Sequence, residues 1–398
     1  MIPLTLPANW LAMIAIMTSS TVIGTTMSFS FPLLSLVLER RGVAPDLIGL
    51  NAAAFGFAAF TVAPWLPRIV NRLGAARTMA LGQALCIVCF LLFPLRVDLI
   101  AWAALRYLLG LGTVLSWVAS ESAINALAND RNRGRVIGFY ATLFCIGYAA
   151  GPALITVTGS EGFLPFGLCA VLLAIGILPL LLARGVRQAM AEPGSARLAL
   201  VWRLAPLALG AILVFGLVET TAFALLPLYG LALGYDEAGA ASLLVLLIAG
   251  NVLFQIPIGW LADLVSRERV LLGCAGLALI GVSCWPVALG SPALGWPLLV
   301  ACGGALGGLY TLSMALLGQR FRGTDLAVAN TAFVLMYQLG AMVGPALGGG
   351  AMQRLGPDAL ALTLAAALTL FVAGAAGGLF FARPRQARPD ADSAAGAE

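Results

Sequence analysis

A chain of 398 residues that is 61% hydrophobic, only 10% charged and carries a net charge of +5 has too little polar surface to cover a soluble globule, and is read as an integral membrane protein. It contains neither Lys nor His, which excludes a P-loop ATPase, a Schiff-base enzyme and histidine acid–base chemistry. No cofactor or metal set is expected, and any uphill work must draw on a gradient or a partner protein.

A spanning helix needs about 20 apolar residues. Twelve such stretches follow one another, at 9–37, 47–67, 77–96, 99–128, 135–157, 163–183, 204–232, 238–261, 269–290, 296–318, 326–351 and 358–382. The first is far longer than a signal-peptide core and lacks a basic leader, so it reads as a retained helix with Thr21, Thr25 and Ser28 at helical spacing. The second ends in a polar turn, Pro67 to Gly74, containing Asn71 and Arg72, with Arg77 just beyond. Cys86-x-x-Cys89 in the third reads as small apolar packing, because no His and no loop thiols accompany it. The fourth carries Arg106, Thr113 and Trp117 on one stripe, then Glu121. The fifth presents Gly138, Gly147, Gly151 and Pro152: glycines admit a close neighbouring backbone and the proline permits a bend.

After the sixth span, 184–203 reads as a linker between an N-terminal bundle, 1–183, and a C-terminal one, 204–383. Glu219 lies mid-way along the seventh span, followed by Thr220 and Thr221. The eighth offers Asn251 and Gln255, then a turn with Gly259, Asp263, Arg267 and Arg269. Tyr310 and Ser313 mark the tenth span; Asn330, Phe333, Tyr337, Gln338, Gly340, Gly344 and Pro345 mark the eleventh. The last stretch, 384–398, is a Pro/Ala/Asp-rich tail read as disordered.

The two halves repeat each other. Gly147-x3-Gly151-Pro152 returns as Gly340-x3-Gly344-Pro345, and the turn 67–74 returns as 259–266, about 192 residues on. Counted by alternate turns, one side holds most of the arginines, from Arg68 to Arg388, and the other only Arg40, Arg41, Arg96 and Arg354. The positive-inside rule then puts both termini in the cytoplasm. The basic balance is thus a topology signal, and no nucleic-acid partner is expected.

This plan, with Arg106-x3-Gly110-x-Gly112 in the fourth span and the glycine–proline pattern in the fifth, resembles the major facilitator superfamily over essentially the whole chain. Ala63 to Gly74, with Glu121-Ser122 and the Arg131 to Arg135 run, is similar to its YcaD-type branch. The resemblance implies an all-α fold of twelve helices in two pseudo-symmetric six-helix bundles that rock to give alternating access. It also implies that the polar turns clamp helix ends and that the fifth-span pattern is an antiporter signature. One departure is plain: the usual Gly and Asp of the first turn are Pro67 and Asn71, so Asp263 is the one clamp carboxylate kept. Asn71, Arg72, Arg77, Asp263 and Arg267, with Gly147, Gly151, Pro152, Gly340, Gly344 and Pro345, are the expected gating residues.

Ionisable groups within spans cost several kcal/mol unless paired, hydrated or neutralised. Glu219 and Glu121 are therefore the proton-coupling candidates, Glu121 being alternatively a gate partner of nearby arginines. Arg106 either binds an anionic substrate group or serves structure, with Glu219 a possible partner. Thr25, Trp117, Asn251, Gln255, Tyr310, Asn330 and Tyr337 outline a sparsely polar, aromatic cavity suited to an amphiphilic solute. The reading is a monomeric, proton-coupled exporter of small organic molecules in a bacterial inner membrane. Uptake of a small metabolite and a transporter-like sensor are the alternatives.

Overall fold

The computed structural model describes residues 8–95, 98–127, 133–182, 195–321 and 323–377. The tail 384–398, the linker as far as 194, and the arginines at 131 and 322 lie outside the described residues. Among the described residues the chain is helical. Its first half comprises α1 (Ala8–Arg40), α2 (Pro45–Val62), α3 (Leu66–Leu73), α4 (Ala75–Leu92), α5 (Leu99–Leu127), α6 (Arg133–Thr158) and α7 (Leu164–Leu182). After α8 (Ser195–Leu204), the second half follows with α9 (Pro206–Ala232), α10 (Glu237–Leu264), α11 (Arg267–Ser283), α12 (Trp285–Ala288), α13 (Pro292–Arg320), α14 (Gly323–Leu355) and α15 (Ala359–Ala376).

Eleven of these helices, among the described residues, are long and apolar enough to cross a membrane. The expected ninth span is broken: α11 stops after 17 residues at Ser283, and α12 restarts from Trp285-Pro286. Proline lacks the N–H that would continue the ladder and disfavours helical geometry in the residue before it, so the break falls there. Large apolar side chains such as Ile100, Val157, Ile256 and Val287 lie on the outside, as lipid contact requires.

Two expected turns are corrected. The first-half polar turn is a separate helix, α3, with Pro67 in its first turn after a break at Ala63-Pro64-Trp65. In the second half the equivalent residues extend α10 unbroken to Leu264. The last part of the expected linker is helix α8. Capping fixes the neighbouring starts: the Asp236 carboxylate accepts from Gly239 N at 2.8 Å to open α10, and Ser266 Oγ accepts from Arg269 N to open α11.

The two halves pack alike. Within the N-terminal bundle α1 lies on α6; within the C-terminal bundle α9 lies on α14. Between bundles the pairs are α2 with α14, α6 with α10, and α1 with α9. The bundle interface therefore runs through the middle of the molecule, and α9 is its most enclosed helix. Every α9 residue from Pro206 to Gly230 is buried except Leu213 and Glu219.

Candidate functional site

The glycine–proline helices are packing surfaces inside each bundle. A Cβ on Gly147 would collide with the Thr21 carbonyl oxygen, and one on Gly151 with Ser28 Oγ and the Phe29 backbone, both on α1. Their counterparts Gly340 and Gly344 meet Leu213 and Leu217 on α9 in the same way. Pro152 and Pro345 lie within α6 and α14. The other face of α14 crosses the interface, where the Pro345 carbonyl seats against Gly49, and Gly349 against Pro45, of α2. In this conformation these residues make close contacts inside the bundles and against α2.

At the end of the molecule opposite the arginine-rich turns the bundles are tied together. Arg40, at the last turn of α1, pairs with Glu161 at 2.6 Å within its own half, and through Nε with Glu237 at the start of α10. Ser160 Oγ donates to the same Glu237 at 3.0 Å. At the arginine-rich end the cover is lost. Ala240, Ala241, Leu243, Leu244, Leu247, Ile248 and Gly250 of α10 are buried, but the next buried residue is Ala262. Gly138 of α6 and Gly259 of α10 each face open space.

The described ion pairs of the second-half turn lie within the C-terminal bundle in this conformation. Arg267 holds Asp263 at 3.3 Å and the Ala315 carbonyl at 3.3 Å; Glu268 pairs with Arg320 at 2.9 Å. Asn71, Arg72 and Arg77 lie exposed on or just after α3.

Arg106 is likewise held away from the interface. Its side chain is 1% exposed, donating to Asn51 Oδ1 at 3.0 Å and to the Phe31 carbonyl at 3.3 Å, with its guanidinium over the Phe31 ring. The expected pairing with Glu219 is thus corrected: Arg106 joins α5 to α1 and α2. Cation–π contact and two acceptors stabilise a charge that water no longer reaches.

Between the bundles lies a different arrangement. Glu219 accepts from Tyr337 Oη of α14 at 2.7 Å, and Tyr337 lies within hydrogen-bonding reach of Tyr148 on α6. The Trp117 ring meets Tyr337 edge-on at 6.5 Å, and its indole reaches Glu121, one turn further along α5. Glu219 therefore has an aromatic donor, and that donor touches Trp117 across the interface. More rings continue the wall: Trp117 stacks on Phe144 at 6.1 Å, Tyr148 meets Phe223 at 5.2 Å, and Phe215 meets Tyr310 at 5.5 Å. Trp117, Glu121, Phe144, Tyr148, Glu219 and Tyr310 keep some accessible surface although they lie deep within the spans.

Of the other candidates, Asn251 sits against Gly307 of α13, and Gln255 is partly buried one turn on. The Thr25 hydroxyl turns back to the Thr21 carbonyl at 3.0 Å, and Asn330 is exposed. Tyr140, Phe144, Tyr148, Phe215 and Phe223 were not singled out in the sequence. Their signal was present: Tyr140, Phe144 and Tyr148, like Phe215, Glu219 and Phe223, recur every fourth residue along one helix face. The Arg40 tie was also missed, its one sign being an arginine on the side that carries few.

Two pseudo-symmetric helical bundles enclosing a polar–aromatic gap define a polytopic membrane transporter rather than an enzyme. The sequence profile of the Major Facilitator Superfamily matches residues 14–250 and again 208–397, and the chain belongs to that superfamily. It is similar to YcaD, an uncharacterised MFS-type transporter of Shigella flexneri serotype 5b, at 27% identity over 306 residues, covering 76% of this chain and 79% of the relative. YcaD of Escherichia coli O139:H28 matches with the same identity and coverage, 27% over 306 residues. In fold it is similar to a point mutant of the nucleoside transporter NupG, with a TM-score of 0.78 and 13% identity over 93% of this chain and 99% of that one. A bacterial homologue of the human lysosomal transporter Spinster, in an inward-facing and unoccupied conformation, gives a TM-score of 0.75 and 13% identity over 94% and 97% of the two chains.

Proposed function

We propose that the protein is a proton-coupled exporter of small amphiphilic organic molecules, working as a monomer by alternating access in a bacterial inner membrane with both termini cytoplasmic. The observation that carries this reading is Glu219: a mid-span carboxylate with accessible surface, held by a tyrosine of a neighbouring helix that itself touches the opposite bundle. A charge there costs several kcal/mol unless hydrated or paired. Rocking of the bundles changes both its hydration and its contacts, and so ties proton loading to conformation. With the arginine-rich end cytoplasmic, the Arg40 tie closes the outside, and the conformation described is inward-open.

Export rests on the character of the gap, which offers rings and two carboxylates but few donors, and so favours amphiphiles over hydroxylated nutrients. The test uses proteoliposomes and inside-out vesicles. Glu219→Gln keeps the size and hydrogen-bonding capacity of the side chain but removes the titratable group. Accumulation driven by ΔpH is expected to vanish while solute exchange at equal pH on both sides persists. A variant that still concentrates solute in response to ΔpH would refute the assignment. Wild-type vesicles that accumulate solute only with an inward proton gradient, right side out, would establish uptake instead.

A further inference from the structure

We infer that a slot on the outer side of the C-terminal bundle, between α10 and α11, holds one anionic phospholipid, with its phosphate on Arg269 and one acyl chain running past Gly273 to Leu277. The slot is separate from the gap between the bundles, and the inference does not depend on proton coupling.

The slot follows from small residues on α13. Helices α10 and α11 both rest on α13 and touch each other little beyond the turn that joins them. Glycines set how closely each can settle: a Cβ on Gly304 would collide with the Phe254 side chain of α10, and one on Gly308 with Cys274 of α11. Two helices drawn down onto a third leave a trough between them, here with a volume of about 410 Å³. That lies within the ~300–1,000 Å³ of small-molecule sites. Its walls are apolar except at the arginine-rich end, where Arg269 stands at the mouth. Gly273 keeps the trough open, because a Cβ there would meet nothing within 4 Å.

Depth and charge identify the occupant. From Arg269 to Leu277, α11 rises about 12 Å, close to the roughly 15 Å that one leaflet of a ~30 Å hydrocarbon core provides. Phe254, Leu261 and Leu277 on the rim are exposed, so the trough opens to lipid. Helix α11 packs on α13 and α15 of its own bundle, so this trough is not the gap through which solute passes. At the mouth, two carboxylates are already matched, Asp263 with Arg267 and Glu268 with Arg320. Arg269 is exposed, and its side chain has no acceptor among the described residues. A lipid phosphate supplies that acceptor, whereas the ammonium of a zwitterionic headgroup would find both carboxylates engaged. Hydrocarbon elsewhere in the bilayer is as apolar as the trough, so the chain adds fit and the headgroup sets the preference. One arginine near a bilayer surface favours an anionic lipid ~5-fold.

The test is native mass spectrometry of delipidated protein in detergent, given equal phosphatidylglycerol and phosphatidylethanolamine with identical chains. One phosphatidylglycerol should survive collisional activation that strips other lipids, with a ~5-fold preference over phosphatidylethanolamine. Arg269→Gln should reduce that preference to parity, and Arg72→Gln, at an exposed arginine of the other bundle, should leave it intact. Gly273→Leu fills the trough and should remove the retained lipid. Gly276→Leu, on the same helix with equal room for a side chain but outside the trough, should keep it. Glycerophosphoglycerol, the headgroup without chains, should not compete. Equal retention of the two lipids by wild type, an unchanged preference in Arg269→Gln, or competition by the chainless headgroup would overturn the inference. So would loss of the preference in Arg72→Gln, retention of the lipid in Gly273→Leu, or its equal loss in the two glycine variants. Arg269→Gln alters only an exposed side chain, so its outcome decides the matter even where Gly273→Leu folds poorly.

Discussion

Arg40→Gln should release the end of the molecule that the structure shows closed. The guanidinium spans Glu161 in its own half and Glu237 in the other, and the side chains are 36%, 81% and 19% exposed respectively. The Glu161 arm is screened by solvent and contributes at most about 0.5 kcal/mol. The Glu237 arm crosses the interface, is more enclosed, and shares its carboxylate with Ser160 at 3.0 Å. A charge-assisted pair of that exposure is worth about 1–2 kcal/mol, so its loss shifts the closed-to-open ratio by a factor of about 5–30. The shift is made larger by two carboxylates left facing each other. Spin labels at Phe163 and Gly290, in a background without the native cysteines, report separation of the halves at this end by double electron–electron resonance. A longer distance population should grow in the variant, and partly so in wild type at about 1 M salt. Distributions that coincide in both experiments would show that backbone contact between α2 and α14 closes this end without help from Arg40.

Three further outcomes follow from the packing. Gly344→Leu forces a side chain against Leu217 and Thr221 of α9 and should lower the Tm of purified protein, by about 1–3 kcal/mol of stability; an unchanged Tm would mean the helices separate freely. Arg106→Ala leaves the Asn51 and Phe31 acceptors without their donor and should cost about 1–3 kcal/mol per group, while substrate affinity in the surviving fraction is unaltered; an intact Tm with lost affinity would return Arg106 to the substrate. Gln338 is buried with neither amide atom hydrogen-bonded, so Gln338→Leu should raise Tm, and a fall would show that its amide is used in another conformation.

The spans were legible to within a few residues because lipid and a dry interior select the same signal, an uninterrupted apolar run. The expected 135–157 and 204–232 became Arg133–Thr158 and Pro206–Ala232. Where the reading erred, proline was the unheeded mark, at Pro64 and Pro67 before and within α3 and at Pro286 in the broken ninth span. Position along the helix was legible as well, which is why Glu219, near the middle of α9, stood out. Partnership was not. Nothing in the spacing of one helix says which helix lies beside it, so Arg106 was offered Glu219 when its acceptors lay on α1 and α2. The every-fourth-residue ring stripes of α6 and α9 were visible in principle, but they share those helices with the glycines, whose spacing is the stronger signal.

In the first half, α2 and α3 are two pieces; in the second, α10 is one helix of 28 residues, roughly 40 Å from end to end. Glu237, held by Arg40, is its first residue, and Gly259, facing open space, lies near its last turn. The same rod thus carries the fastening of one doorway and the unfilled surface of the other. Only Pro257 interrupts its ladder, close to the far end. Displacement of Glu237 would carry the whole helix with it, because α10 runs unbroken where α2 and α3 are separated by a break. The duplicated halves are therefore mechanically unequal: one carries a lever, the other a hinge.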